Sequence, residues 1–244
     1  MSRIALITGA SGGLGKAMAA RLAASGYRLA LHYYKNREEA EALRNSLLPA
    51  GAPHVLVQAD LREENEISAM AEQTRQEFGR LDVLVNNAGI PFSGLSWKQS
   101  LSQWQDVFAV NTTAPWLVSK HCIPLLRESG NGRILYISSV VAHRPLAGTS
   151  AYAAAKAALE GLTRAQAVEL SRFGITVNCI APGYFDAGMI SSVDESLRED
   201  LKKHTPASRL GHADELAEAV HYLSSENASF TTGQILHVNG GLYI

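Results

Sequence analysis

Short, uninterrupted runs of apolar residues alternate along the chain with longer segments in which apolar residues recur every three or four positions. Continuous apolar runs are typical of strands in a parallel sheet covered on both faces, and the longer pattern is typical of amphipathic helices. Strands are predicted at residues 3–8, 28–33, 55–58, 83–86, 133–138, 176–181 and 235–238. Helices are predicted at residues 14–25, 37–48, 63–78, 101–118 and 152–172.

This alternation predicts the α/β class, with a single-domain, Rossmann-type, doubly wound parallel sheet of about seven strands and helices on both faces. No linker, repeat or low-complexity stretch interrupts the chain, so residues 1–244 are interpreted as one domain. The segment around 185–206 is the least regular. Its Gly, Ser and charged residues predict a mobile helical lid over the site.

Composition narrows the possible partners. Hydrophobic residues make up 46% of the chain, enough for a sizeable core, and the formal net charge is -1. This balance indicates no nucleic-acid or anionic-membrane partner. The amino-terminal apolar run is too short for a signal peptide, and no later run could span a bilayer, which favours a soluble cytoplasmic protein.

The cysteines and histidines predict neither a disulfide framework nor a metal site. Cys122 and Cys179 stand in apolar surroundings, which is typical of buried free thiols. The eight histidines are scattered, without metal-ligand spacing to a cysteine or carboxylate. Each is interpreted as a packing or surface residue.

A glycine-rich turn, Thr8-Gly9-Ala10-Ser11-Gly12-Gly13-Leu14-Gly15, joins the first strand to the first helix. Glycines there let the backbone approach a pyrophosphate, and the helix start supplies free N–H groups and a favourable dipole. A tight turn without a ligand is the alternative, but this position in the chain favours dinucleotide binding. The candidate phosphate contacts are Gly9, Ser11, Gly12, Gly13, Leu14 and Gly15.

Tyr152 and Lys156 stand four residues apart on a predicted helix and therefore share one face. A tyrosine can donate a proton to a carbonyl oxygen, and a lysine ammonium beside it is expected to lower its pKa. Ser139, at the end of the fifth strand, could hold the carbonyl beside the phenol. The alternatives are an ordinary helical pair and a strand-end turn.

The pattern Thr-Gly-x-x-x-Gly-x-Gly resembles that of the short-chain dehydrogenase/reductase family. Further motifs follow in the family's order, from Arg3 to about Tyr243: Asp60, Asn86-Asn87-Ala88-Gly89, Asn111, Ser139, Tyr152-x-x-x-Lys156 and Pro182-Gly183. The resemblance implies an NAD(P)-binding Rossmann domain that transfers hydride to or from a carbonyl carbon. The stretches Pro206-x-x-Arg209-Leu210-Gly211 and His237-Val238-Asn239-Gly240-Gly241 look most like those of the 3-oxoacyl-ACP and acetoacetyl-CoA reductases.

The resemblance also implies residue roles. The catalytic set is Asn111, Ser139, Tyr152 and Lys156, with Asn111 holding a water that links the lysine to solvent. Asp60 resembles the aspartate that bonds the adenine, although it could instead cap the following helix. The further implied cofactor contacts are Leu61, Asn87, Ala88, Gly89, Pro182 and Gly183, with Tyr152 and Lys156 again included.

The end of the second strand bears on cofactor choice. An NAD-specific site usually has a carboxylate there, but this chain has Tyr33, followed by Lys35 and Arg37. Either cation could pair with a 2′-phosphate, so NADP(H) is the preferred cofactor, with NAD(H) possible. Gly12 stands where many NADP-preferring members have Arg or Lys.

The leading functional hypothesis is reduction of a 3-oxoacyl thioester, carried by ACP or CoA, to the 3-hydroxyacyl product. Two departures from the family pattern lie near the substrate: Ala187 replaces a common threonine, and Pro91-Phe92-Ser93 replaces Thr-x-Asp. A dehydrogenase of another small or cyclic alcohol or ketone, and a non-catalytic dinucleotide-binding regulator, stay open.

Two expectations concern partners. The family usually forms tetramers through its long helices, and a homotetramer is expected here. The small residues Ala153, Ala154, Ala157, Ala158 and Gly161 permit close helix approach. An acidic acyl carrier would need exposed cations near the cleft, and Arg127 and Arg172 are candidates, with solvated surface arginines as the alternative.

Overall fold

The computed structural model describes residues 2–47, 54–188, 190 and 194–244. The strands are β1 (Ile4–Ile7), β2 (Arg28–Tyr33), β3 (Val55–Gln58), β4 (Val83–Asn86), β5 (Arg133–Ile137), β6 (Thr176–Pro182) and β7 (Ile235–Val238). The helices are α1 (Gly13–Ala24), α2 (Arg37–Ser46), α3 (Glu64–Phe78), α4 (Leu101–Phe108), α5 (Ala114–Glu128), α6 (Ser150–Leu170), α7 (Glu195–His204) and α8 (Ala213–Ser224).

The strands form one parallel sheet in the order β3-β2-β1-β4-β5-β6-β7. One face is covered by apolar residues of α1, α2 and α8, and the other by residues of α3, α5 and α6. The predicted doubly wound sheet of seven strands is confirmed. Strand order reverses between β1 and β4, and ligands of such folds bind outside the carboxyl ends of the strands at that point.

The fourth predicted helix differs most from its prediction. Residues 101–118 were expected to be helical, but the helical chain continues to Glu128 and contains a π-helical turn, Ala109–Thr113. Pro124 lies inside α5, where the buried side chains of Leu125 and Leu126 pack into the core. Tertiary packing therefore extends this helix through a residue that favours helix ends.

Helix α8 was not predicted from the sequence. Leu216, Val220 and Leu223 follow helical spacing and are buried in the same core cluster as α1. The Nε group of Arg21 on α1 donates to Glu218 on α8 at 2.5 Å. The apolar periodicity that predicts α8 was thus present in the sequence.

The predicted lid, residues 185–206, contains α7. Its first residues are anchored, because the buried Phe185 forms a bridge with Gly211, and the Asp186 N–H donates to the Gly211 carbonyl at 2.9 Å. Residues 189 and 191–193 of this segment, and Leu48 at the end of the second predicted helix, lie outside the described residues. Mobility of the lid stays a prediction.

Candidate active site

The glycine-rich turn brings the chain from β1 to the amino end of α1. Gly9 has φ +63°, a left-handed conformation that glycine adopts without a side-chain clash. A Cβ added at Gly15 would overlap the carbonyl oxygen of Gly9, so the turn requires glycine there. The N-cap, Gly12, has no side chain, and the first N–H groups of α1 lack intrahelical acceptors. This geometry fits an anionic pyrophosphate, as the sequence predicts.

His32 fixes the start of this turn from β2. Its buried ring accepts a hydrogen bond at Nδ1 from the Gly9 N–H at 2.9 Å, and Nε2 lies 3.0 Å from the Ala59 carbonyl, to which it donates. Burial lowers the pKa of His32 and keeps the ring neutral at pH 7. From the sequence, His32 was interpreted only as a packing residue; a polar side chain within an apolar strand was the available signal.

Asn87 and Ala88 hold the same turn from the end of β4. The Asn87 side-chain amide donates to the Thr8 and Gly9 carbonyls at 2.9 and 3.1 Å. The Thr8 hydroxyl accepts from the Asn87 and Ala88 N–H groups at 2.9 and 3.0 Å. The structure therefore places these two predicted residues at the reversal point, against the phosphate turn.

The adenosine end of the site follows β2. Tyr33 is buried, whereas Tyr34 is exposed and has the Lys35 Nζ 4.8 Å from its ring centroid. The Arg37 Nε donates to Glu41 at 2.8 Å within α2. Both predicted cations thus lie at this end of the sheet, and Arg37 already has a carboxylate partner.

Arg62 is a site residue that was not predicted from the sequence. Its Nε donates to the two carboxylate oxygens of Asp60 at 2.9 and 3.2 Å, and its Nη2 donates to the Tyr34 hydroxyl at 2.7 Å. These bonds hold the pKa of Asp60 well below its usual range. Asp60 does not cap the following helix, whose N-cap is Glu63. Leu61 is buried beside this cluster.

The predicted catalytic serine, tyrosine and lysine converge where β5 meets α6. Ser139 is the N-cap of a short turn, Val140–Ala142, and its hydroxyl is close enough to the Tyr152 phenol to lower the pKa of that phenol. The Lys156 Nζ donates to the Ile137 carbonyl at 2.8 Å and lies 5.8 Å from the centre of the Tyr152 ring. Tyr152 and Lys156 therefore share one face of α6, as their spacing predicts.

Asn111 explains the π-helical turn in which it lies. Its side chain is buried, accepts from the Ile90 N–H at 3.1 Å and donates to the Ile90 carbonyl at 3.0 Å. A Cβ at Gly89 would lie 2.7 Å from the Asn111 Oδ1 and 3.4 Å from the Lys156 Nζ. Gly89 thus lets Asn111 and Lys156 approach each other. Single π-turns are frequent at functional sites.

Burial sets the protonation states of Tyr152 and Lys156. It raises the pKa of Tyr152 to about 12, against the lowering effect of the bond with Ser139, and it lowers the pKa of Lys156 to about 8. The expected lowering of the Tyr152 pKa is wrong for the chain itself, because burial of the phenol raises that pKa. At pH 7 the pair is a neutral phenol and a predominantly protonated amine.

The chain after β6 closes the site from the other side. The Gly183 N–H donates to the Val238 carbonyl at 2.9 Å, which places Pro182-Gly183 at the catalytic edge of the sheet. A Cβ at Gly13 would overlap the backbone of Gly188, so Gly188 lies against the phosphate turn. The Ala187 methyl cannot supply the hydrogen bond of a threonine there.

Pro91-Phe92-Ser93 forms part of an apolar wall. Phe92 packs with Val107, Ala151 and Ala155, and Ala151 directly precedes Tyr152. The next residue, Gly94, donates to the Gly148 carbonyl at 2.8 Å. The departure from the family's Thr-x-Asp pattern thus makes this side of the site more apolar.

Arg127 and Arg172 were expected near the cleft, but neither lies near the cleft of its own chain. Both guanidinium groups lie over the Phe173 ring, at 4.2 and 4.7 Å from its centroid. Arg127 is in the last turn of α5, and Arg172 follows α6, so both precede the amino ends of the next strands. The site lies at the opposite, carboxyl edge.

Cys122 and Cys179 are buried free thiols, as predicted, and burial raises the pKa of each to about 12. Over residues 2–47, 54–188, 190 and 194–244, no three or more His, Cys, Asp or Glu side chains are grouped so that they could hold a metal ion. In the same ranges, no helix has both the length and the apolar character needed to cross a membrane.

Comparison with known proteins identifies the class. A family model described as "Enoyl-(Acyl carrier protein) reductase" matches residues 9–243. A solved short-chain dehydrogenase/reductase from Serratia marcescens, in a doubly substituted mutant form, superposes with a TM-score of 0.93 at 33% identity, over 98% of this chain and 97% of that one. The chain belongs to the short-chain dehydrogenase/reductase family and is an oxidoreductase.

Similar curated proteins span the same length. The 3-oxoacyl-[acyl-carrier-protein] reductase FabG of Staphylococcus aureus is 36% identical over 100% of this chain and 99% of its own. FabG of Escherichia coli is 37% identical over 99% of this chain and 98% of its own. Nodulation protein G of Azospirillum brasilense is 39% identical, with 98% of each chain covered.

Proposed function

We propose that the protein reduces a 3-oxoacyl thioester, carried by ACP or CoA, to the 3-hydroxyacyl product, with NADP(H) as the hydride cofactor. The observation that carries the reaction type is the convergence of Ser139, Tyr152 and Lys156 beside the glycine-rich turn. The substrate class is supported by the similarity to the two FabG reductases over the whole chain.

In this mechanism Tyr152 is the general acid. Its raised pKa keeps the phenol protonated at neutral pH, which suits donation to a carbonyl oxygen during reduction. Ser139 orients the same carbonyl through its hydroxyl. Below its pKa of about 8, Lys156 keeps a proton at Nζ and can replace the proton that Tyr152 donates. Asn111, which lies beside Gly89 near Lys156, would hold the water that links the lysine to solvent.

The residues present fit a dinucleotide. Free N–H groups at the start of α1 would hold the pyrophosphate, and the absence of a Cβ at Gly13 and Gly15 lets the turn pack closely against Gly188 and Gly9. The bound nicotinamide supplies the hydride. Leu61, Asn87, Ala88, Gly89, Pro182 and Gly183 border the same edge, and each stays a proposed contact.

The preference for NADP(H) rests on the charges after β2. Lys35 lies over the exposed Tyr34 ring, and none of its close contacts within the described ranges is with a carboxylate, so its charge is available to a 2′-phosphate. Arg62 neutralises Asp60, which removes a repulsive charge from the same end. NAD(H) remains the second candidate.

A second substrate class is a small or cyclic alcohol or ketone. The apolar wall at Phe92 favours it. A non-catalytic dinucleotide-binding regulator would not need the Ser139, Tyr152 and Lys156 arrangement.

A substrate panel tests these alternatives. NADPH and NADH oxidation should be followed with 3-oxoacyl-ACP, 3-oxoacyl-CoA, a simple ketoester and a set of cyclic ketones. The expected result is the highest kcat/KM with a thioester. A higher value for a cyclic ketone would replace the substrate class, and no turnover with any carbonyl would favour the regulator.

We also propose a homotetramer in the cytoplasm. On α6, Ala157, Gly161 and Val168 are exposed, and a Cβ at Gly161 would meet no neighbouring atom, so this surface can accept a close helix partner. Light scattering at micromolar concentration should give four times the chain mass. A monomeric mass would contradict the assembly.

A further inference from the structure

A buried carboxylate that the proposed reaction does not use lies behind the catalytic pair. Glu160 is one helical turn after Lys156, and its side chain is 7% exposed. Its Oε1 accepts from the His143 Nε2 at 2.7 Å and from the Ser138 hydroxyl at 3.3 Å. Because a buried carboxylate is costly unless it is paired, these bonds indicate a built arrangement.

The two donors lie at opposite ends of the turn that carries Ser139. Ser138 precedes Ser139, and His143 is the C-cap of the Val140–Ala142 turn. The Ser138 hydroxyl also lies 3.0 Å from the Lys156 carbonyl, so its single proton is shared between that carbonyl and the Glu160 Oε1. One carboxylate oxygen therefore joins both ends of the serine turn to the part of α6 that carries the lysine.

Aromatic rings hold His143 in this orientation. Its ring stacks on Tyr243 at 4.4 Å between centroids and meets His237 edge-on at 4.7 Å. Burial, and then the nearby His143, lower the pKa of His237, so His237 does not compete with His143 as a cationic partner of Glu160. Arg164 is a further charged neighbour, and its exposed Nη2 lies 3.9 Å from the Glu160 Oε2.

We propose that Glu160 is a positioning residue: through its hydrogen bonds with His143 and Ser138, it fixes Ser139 relative to Tyr152 and Lys156. This rests on the proposed function only in taking those three as the reacting groups. Without the acceptor, the partly buried His143 loses its partner and Ser138 keeps only its bond to the Lys156 carbonyl, so the serine turn loosens. The phosphate turn and the adenosine end lie at the ends of other strands and are left intact, so kcat should fall without a change in the KM for NADPH.

Matched variants of α6 test the role of the hydrogen bonds that Glu160 makes with His143 and Ser138. Glu160→Met removes the acceptor at similar length and should lower kcat about 10- to 100-fold, the cost of a misplaced reacting group, with the NADPH KM within about twofold. Glu160→Gln still accepts both bonds and should keep more than about a third of kcat. Glu169→Met, the same change on the exposed side of the helix, should match the wild type.

Hydrogen exchange gives a readout that needs no turnover. Amides of residues 139–146 should exchange at least about fivefold faster in Glu160→Met, and at the wild-type rate in Glu160→Gln and Glu169→Met. Should Glu160→Met not fold, His143→Phe keeps the ring stack and removes the donor, with the same faster exchange expected. Unchanged exchange, or equal losses in Glu160→Gln and Glu160→Met, would overturn the proposal. A wild type that reduces no carbonyl would refute the proposed function alone.

Discussion

The catalytic centre and the adenosine end of the site lie at the same edge of the sheet, but they are built differently. Lys156 and Asn111 are buried and bonded to backbone groups, whereas Tyr34, Lys35 and Arg62 are exposed and contact one another or Asp60. Buried polar groups must all be satisfied and have few alternative partners, while exposed ion pairs exchange with water. Reaction type therefore depends on a rigid arrangement, and cofactor choice on charges that are easily altered.

The largest effect is expected at the catalytic centre. Tyr152→Phe removes the proton donor and should lower kcat by roughly 10²–10⁴-fold. NADPH affinity, measured by fluorescence titration, should stay near the wild-type value because the phosphate turn is untouched. A variant with wild-type turnover would show that Tyr152 is not the acid.

Lys156→Met should also impair turnover, and in addition it should stabilise the fold. Burial lowers the pKa of Lys156 from 10.5 to about 8, so holding the ammonium opposes folding at pH 7. Allowing for the lost bond to Ile137, the free energy of unfolding should rise by about 2 kcal/mol at pH 7.

The sign of this effect predicts its pH dependence. The penalty in the wild type is complete below pH 8, and it disappears between pH 8 and 10.5 as the lysine of the unfolded chain also loses its proton. Urea unfolding at pH 7 and pH 10.5 measures it, with the exposed Lys203→Met as control. A stabilisation that is equal at both pH values would contradict the buried-charge explanation.

A smaller effect is expected at the adenosine end. Lys35→Glu together with Arg37→Glu should lower the ratio of kcat/KM for NADPH over NADH by about tenfold, because the new carboxylates repel a 2′-phosphate. Arg44→Glu, elsewhere on α2, serves as the charge control. If the wild type already prefers NADH, the charges after β2 were misinterpreted.

The smallest effect is expected for Arg62→Gln. It frees Asp60 but changes only exposed bonds, so affinities for NADPH and NADH should each shift by less than about threefold. Isothermal titration with both cofactors measures this. A large loss confined to NADPH would mean that Arg62 itself contacts the 2′-phosphate, and the comparison between the two regions would then need revision.

Whether a site residue could be predicted from the sequence depended on how far along the chain its interaction partners lie. The phosphate turn and the Tyr152–Lys156 pair were predictable because their chemistry lies within a few consecutive residues. His32 and Glu160 were missed because each acquires its role from partners on other elements. Arg62 was missed although its main partner, Asp60, is only two residues away, because its second partner, Tyr34, comes from the segment after β2. The pKa of Tyr152 was predicted in the wrong direction, since spacing reveals a nearby lysine but not how deeply the phenol is buried.

The sequence by itself determined the class of fold, the order of the strands and of most helices, and the identity of the candidate catalytic residues, because apolar periodicity and short motifs are local properties. Only the tertiary structure decided which groups meet. It placed Arg127 and Arg172 at the edge away from the site, brought Asn111 to Gly89 through a π-turn, and buried Glu160 beneath Ser138. Packing decides these contacts because burial and hydrogen-bond partners arise only when distant segments come together.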